Sequence, residues 1–164
     1  MKLEGSCHCG AITFSLNSRT PYPFMHCYCS ICRKTAGGGG YAINIMGLTK
    51  SLKLKGKKYR KTYRARFPDP ERPGKSYLSP MRRFFCGECG SALYGWDPRW
   101  PQWVYPIASA IDTHLPKAPE RIHLMLDYAA PWVRIPKGKN DKSYPEYPEE
   151  SILDWHKAKE FYGN

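Results

Sequence analysis

Acidic residues are scarce in this 164-residue chain: 14 Asp and Glu stand against 26 Lys and Arg, a formal charge of +12. Long apolar runs are missing, and without one of about 18 residues no helix is expected to cross a membrane. No basic-then-apolar leader precedes Cys7, so a thiol-rich chain of this kind is expected in a reducing compartment, the cytoplasm. Repeats of solenoid length are absent. With 15 Pro, 14 Gly and 12 Tyr, a helical bundle is excluded in favour of short strands and many turns. An eighth cysteine is missing as well. Seven thiols cannot all pair as disulfides, and a chain of this length needs no staples to fold.

The cysteines that are there form three groups: Cys7 and Cys9 in Ser6-Cys7-His8-Cys9-Gly10, Cys27, Cys29 and Cys32 in one short segment, and Cys86 and Cys89 before Gly90. Zinc takes four thiolate or imidazole ligands in a tetrahedron, and a CxxC followed by glycine is the usual knuckle that aims two sulfurs at one point. Cys7 and Cys9, two residues apart on extended backbone, return to the same face and can complete a closed site with Cys86 and Cys89. Cys27, Cys29 and Cys32 then converge on a second ion with one position open, the arrangement of zinc sites that do chemistry. A second partition uses Cys29, Cys32, Cys86 and Cys89 as a ribbon and leaves Cys7, Cys9, Cys27 and either His8 or His26 as another closed site. Either way, two zinc ions per chain are expected.

Strands are expected over Lys2 to Ser6, Ala11 to Leu16, Tyr41 to Met46 and Arg121 to Asp127, where apolar and polar residues alternate, over Arg82 to Phe85 and Ser91 to Trp96, which lead into and out of the second cysteine knuckle, and over Gln102 to Ala108, which is short of charge. Ser30 to Thr35 suits one helical turn closed by Gly37. Ser51 to Leu54 and Lys58 to Ala65 are expected to pair as a hairpin around Gly56, and Phe67 to Gly74, with three prolines, to form an exposed loop. Pro136 to Pro148 is a polar surface tail, and Glu149 to Tyr162 a terminal helix docked on the domain. The boundary between a zinc-binding domain and this tail falls at residues 1–135 and 136–164. His123 is expected to be hydrogen-bonded and half exposed, with His8 and His26 supporting neighbouring cysteines and His114 and His156 carrying no signal.

Nine of the basic residues lie between Lys50 and Arg66, where there is no acid, so the charge belongs to one segment. Such a segment serves an acidic ligand, a nucleic acid, or only solvation.

The order Cys7-His8-Cys9-Gly10, then Cys27-x-Cys29-x-x-Cys32-Arg33-Lys34, then Phe85-Cys86-x-x-Cys89-Gly90, with late His123 and Ala130-Pro131-Trp132, resembles the glutathione-dependent formaldehyde-activating (Gfa) and centromere-protein-V family over about residues 3 to 135. The resemblance implies a mainly β, β-tent fold of zinc-ribbon-like strands, here followed by the short C-terminal helix. It implies a structural zinc on Cys7, Cys9, Cys86 and Cys89 and a catalytic-type zinc on Cys27, Cys29 and Cys32. It also implies carbon-sulfur lyase-type chemistry between a glutathione-like thiol and an aldehyde or its adduct. Tyr28 and Ile31, inside the three-cysteine motif, stand where family members often carry more polar residues. A reading from another class is a zinc-stabilised binding module that grips nucleic acid or another acidic partner through the basic segment, with Tyr59 and Tyr63. Three local thiols without a fourth protein donor favour the enzyme.

Overall fold

The computed structural model describes residues 1–163. In chain order it contains β1 (Lys2–Ser6), β2 (Thr13–Asn17), β3 (Met25–Cys27), α1 (Ser30–Ala36), β4 (Ala42–Ile43), β5 (Gly47–Leu48), β6 (Lys53–Lys55), β7 (Arg60–Tyr63), β8 (Arg66–Pro68), β9 (Ser76–Leu78), β10 (Arg82–Cys86), β11 (Ala92–Trp96), β12 (Trp103–Pro106), β13 (Ile122–Leu124), β14 (Lys142–Ser143) and α2 (Ile152–Ala158). The architecture is mainly β and β-tent-like, with a short helix near the C-terminus. No helix among the described residues is long and apolar enough to cross a membrane.

Three sheets make the frame. One is β1-β2-β6, a second is the antiparallel β5-β12-β11-β10-β7, and a third, β14-β13-β3-β4, runs its first two pairings parallel. The alternation read from the sequence explains the first two. Leu3, Phe14 and Leu16 point inward from β1 and β2 and meet Leu93, Tyr94 and Val104 of the five-stranded sheet in the main core. Phe14 and Tyr94 touch edge to face at 5.8 Å. Cys7 and Cys86 are part of this core, which ties the cysteine turns to the burial that holds the two sheets together.

Several elements depart from the pattern read in the sequence. The segment from Ser51 to Ala65 is not a hairpin: β6 pairs with β2, while β7 pairs with β10. Gly56, at φ 73°, opens a 3₁₀ turn over Lys57–Tyr59 that carries the chain from one sheet to the other. A side chain at Gly56 would collide with the Ala11 carbonyl, so the crossing needs glycine twice over. The expected strand from Tyr41 to Met46 likewise splits. Its first half lies on β3, and Ile45 then donates to the Pro106 carbonyl at 2.8 Å on its way to β5. The proline-rich loop is instead the turn of a two-stranded hairpin, β8-β9, in which Phe67 faces Tyr77. Pro68, which has no N–H to give, sits at the hairpin's last pair, where little pairing is lost.

The segment after Leu124 also differs. Met125 adopts φ 63° and ends β13 in a 3₁₀ turn, shorter than the strand expected to Asp127. The polar stretch from Pro136 to Pro148 contributes β14 and sends Asp141 inward. The terminal helix is only Ile152–Ala158: Ser151 caps it by accepting from the Asp154 N–H, and Glu160, at φ 59°, turns the chain back. Trp155 stacks on Phe24 at 3.8 Å, and Phe161 stacks on Tyr22 at 4.3 Å. The helix is therefore docked, as expected, but through an aromatic cluster centred on Trp155.

Candidate metal and catalytic centre

The first thiol cluster is built from two matching turns. Cys7 at the end of β1 and Cys86 at the end of β10 each donate an N–H to the carbonyl five residues on, Ile12 at 3.0 Å and Ser91 at 2.9 Å. Each turn closes on a glycine in the left-handed region, Gly10 at φ 74° and Gly90 at φ 75°. The turns bring the sulfurs of Cys7, Cys9, Cys86 and Cys89 within 4.8 Å of one another. Cys7 also accepts from the Ile12 N–H at 3.2 Å, a contact suited to an anionic sulfur. His8 points away into solvent, and only its backbone N–H is engaged, by Ser91.

The second cluster is local. Cys27 ends β3, Cys29 caps α1 by accepting from the Cys32 N–H at 3.3 Å, and Cys32 lies in the first turn. Their three sulfurs also fall within 4.8 Å of one another, and all three residues are buried. The sulfurs sort as four and three, so Cys29 and Cys32 do not join Cys86 and Cys89.

Three adjacent buried thiols cannot all ionise without a counter-charge. Hydrogen bonds from the Cys27 and Cys32 thiols, with help from the Cys32 and Ile31 N–H groups, hold Cys29 well below the usual thiol range. Its neighbours Cys29 and Cys32, with burial, push Cys27 far up. A soft divalent cation removes this conflict, and sulfur donors select zinc over harder ions; both clusters fit such an ion.

Behind the second cluster lies a buried polar wall. Tyr28 and His123 are fully buried, and the Tyr28 hydroxyl meets His123 Nδ1 at 3.0 Å. Burial pushes the Tyr28 phenol up to about 12, so it keeps its proton, and with the Asp141 carboxylate facing Nε2 the favoured tautomer leaves Nδ1 to accept from the hydroxyl. The His123 proton then sits on Nε2, 3.6 Å from an Asp141 oxygen. Asp141 is itself fixed by the Arg121 N–H and Nε, each at 2.9 Å, and by the Gly138 N–H at 2.7 Å. His26 stacks on Tyr41 at 4.6 Å, and burial lowers it to about 4, so it stays neutral. His123 is thus neither half exposed nor gathered into a thiol cluster. It packs beneath β3 and steadies the segment that carries the cysteines.

Cys27, Cys29 and Cys32 all face a cavity of about 1130 Å³. None of Cys7, Cys9, Cys86 or Cys89 lines it. Next to it, sharing Thr35, Ala36, Gly90 and Ala92 as walls, is a polar cleft of about 590 Å³ that carries Arg33, Lys34 and Asp112. The basic segment from Lys50 to Arg66 does not form one face. Arg60 holds the Tyr94 hydroxyl at 2.8 Å, Arg64 the Ser79 carbonyl at 2.7 Å and Arg66 the Ser76 hydroxyl at 3.1 Å, while Lys53 and Lys55 lie on β6, Lys61 on β7, and Lys50, Lys57 and Lys58 in 3₁₀ turns. Of these residues only Tyr63 lines the cavity.

The sequence reading missed Asp141, Arg83 and Tyr147. Asp141 is brought to His123 by a parallel strand that has no local signature, and Arg83 and Tyr147 line the cavity from segments far apart in the chain.

The chain is similar in sequence to known proteins. The family described as glutathione-dependent formaldehyde-activating enzyme matches residues 2–125. A protein of Halomonas elongata, named "Putative glutathione-dependent formaldehyde-activating enzyme", is 51% identical over 156 residues, 95% of each chain. A crystal structure of a Rhodobacter sphaeroides protein aligns with 69% of this chain and 91% of its own, at 20% identity and a TM-score of 0.45.

Proposed function

Because the chain belongs to the glutathione-dependent formaldehyde-activating enzyme family, we propose that it is a zinc-dependent carbon-sulfur lyase-type enzyme, making or breaking the bond between a glutathione-like thiol and an aldehyde. The observation that carries this reading is the unequal placement of the two clusters: three thiols face a large cavity, and the other four lie outside it. In this reading Cys7, Cys9, Cys86 and Cys89 hold a structural zinc, and Cys27, Cys29 and Cys32 a catalytic-type one.

When bound by three thiolates, zinc supplies a soft Lewis acid that lowers the pKa of an incoming thiol. The protein's part is positioning. Cys29, held by the N–H groups that open α1, and Cys27, backed by the Tyr28, His123 and Asp141 wall, fix the sulfurs relative to the cavity floor. Arg33 and Lys34, with Asp112, give the neighbouring cleft two cations and one anion, the complement of a tripeptide thiol with two carboxylates and one ammonium. The shared walls at Thr35, Ala36, Gly90 and Ala92 put the two halves of a thiol-aldehyde adduct in adjoining spaces. In the forward direction sulfur bonds to the carbonyl carbon, and the thiol proton ends on the carbonyl oxygen. No carboxylate or imidazole lines the cavity among the described residues, while Asp112 and His8 line the adjoining cleft.

The test is the rate at which zinc-loaded protein consumes glutathione in the presence of an aldehyde. Wild type is expected to exceed the uncatalysed rate, and Cys29→Ser to fall back to it while remaining folded. A wild type no faster than buffer, across a series of thiols and aldehydes, would overturn the reading.

A further inference from the structure

The cavity over Cys27, Cys29 and Cys32 is far larger than formaldehyde requires. A molecule of two heavy atoms displaces little more than the roughly 30 Å³ of one water, whereas this space, at about 1130 Å³, matches or exceeds the pockets that enclose drug-sized ligands. Its walls are also of the wrong chemistry for a small hydrated aldehyde. Ten of the lining residues are aromatic, among them Phe67 and Tyr77 of the β8-β9 hairpin and Phe84, Phe85, Trp100 and Tyr105 opposite. At the mouth Tyr63 and Tyr77 remain over two-fifths exposed, an apolar rim with nothing packed on it.

Outside the three-thiol cluster, charge in this lining is sparse and of one sign. Arg83 and Arg99 are its only basic residues, and neither Asp nor Glu faces the space among the described residues. Arg99 is already committed: its Nε and Nη2 reach both oxygens of buried Asp97, at 3.0 and 2.7 Å. Arg83 differs, because its Nη1 is buried and has no hydrogen-bond partner. Arg83 as a whole is only half-buried and lines the cavity, close enough to the cluster to favour the Cys32 thiolate, so the accessible part of its guanidinium can receive a carboxylate from the cavity.

We infer that the electrophilic partner in this cavity is a bulky, largely aromatic aldehyde bearing one carboxylate, and that Arg83 is the specificity-determining residue that receives that carboxylate. The inference rests on the carbon-sulfur reading for the word aldehyde; the ligand class itself rests on the walls and on Arg83. The tripeptide thiol, with its ammonium group, finds no counter-ion here and belongs to the adjoining cleft, where Asp112 stands beside Arg33 and Lys34.

Two measurements on the zinc-loaded full chain test this. By calorimetry, the unreactive biphenyl-4-carboxylate should bind at least about tenfold more tightly than its primary amide, a difference expected for a charge-assisted bond over a neutral one. In Arg83→Met that preference should collapse. Equal affinity of acid and amide in wild type would overturn the inference without recourse to any variant, and so would an acid preference that survives Arg83→Met. In turnover with glutathione, 4′-formylbiphenyl-4-carboxylate should show a larger acceleration over its uncatalysed rate than formaldehyde does. Binding with the expected preference but no turnover of any aldehyde would sink the carbon-sulfur reading while leaving the ligand class standing. Turnover of formaldehyde with no acid preference would do the reverse.

Discussion

Among the described residues, the hydroxyl of Tyr28 is the only partner of His123 Nδ1 in a fully buried pair, so its removal leaves a buried ring nitrogen without a donor. Tyr28→Phe should therefore lower stability by about 1–3 kcal/mol, the usual cost of an unsatisfied buried polar group. Urea unfolding at matched metal content checks this, and an unchanged midpoint would show that the hydroxyl is not what orients His123. At this scale the sequence was legible in part. The seven cysteines announced themselves by spacing, and their sulfurs gather as four and three. His123 was expected to be half exposed because a strand histidine normally is; its partners Tyr28 and Asp141 approach from segments 95 and 18 residues away, and no local pattern encodes such a meeting. Arg83 looked like one more charge on a strand, and only its missing partner in three dimensions sets it apart.

The elements tell a similar story about what local patterns specify. The extended segments expected at Ser51 to Leu54 and Lys58 to Ala65 overlap β6 and β7, but which neighbour each would join was decided by the Gly56 crossing, so an apparent hairpin became the edges of two different sheets. Strands of three residues, such as β8 and β9, fall below the length at which alternation can be told from chance, and the prolines between them read only as a loop. The terminal helix was legible as a docked helix, though the contacts that dock it were not. His156, given no role by the sequence, accepts from the Tyr22 N–H at its Nε2 and gives its Nδ1 proton to the Ile152 carbonyl at 2.7 Å, so only the neutral ring fits. Burial holds its pKa below the ordinary 6.5. An imidazole lowered in the folded state is protonated first in the unfolded state. Its contribution to docking α2 is then intact above about pH 6.5 and is lost as the pH falls through the folded value. The NMR titration of the His156 ring should have its midpoint below 6.5 and move together with the Trp155 indole resonance; a midpoint at or above 6.5 would show that the helix docks without regard to the ring's charge.

Across the whole molecule, the cysteine turns, the sheets and the cavity form one construction. The four-sulfur cluster joins the end of β1 to the end of β10, clamping two sheets, whereas the three-sulfur cluster is assembled within six residues and opens on the cavity between β10 and the β8-β9 hairpin. Composition and alternation sufficed for a mainly β fold with a late helix, since both are written locally. The cavity was not legible, because its walls come from most of the chain and its aromatic character emerges only when they are brought together. The central claim is that one thiol cluster is closed and the other is open to a substrate thiol. Its most direct test is cobalt substitution of the purified chain, followed by visible absorption as glutathione is added. The account predicts two cobalt ions per chain with thiolate charge-transfer bands, a d-d spectrum that shifts with glutathione in proportion to one of the two ions, and loss of that shift in Cys29→Ser. Two cobalt ions whose spectrum ignores glutathione and related thiols would contradict it.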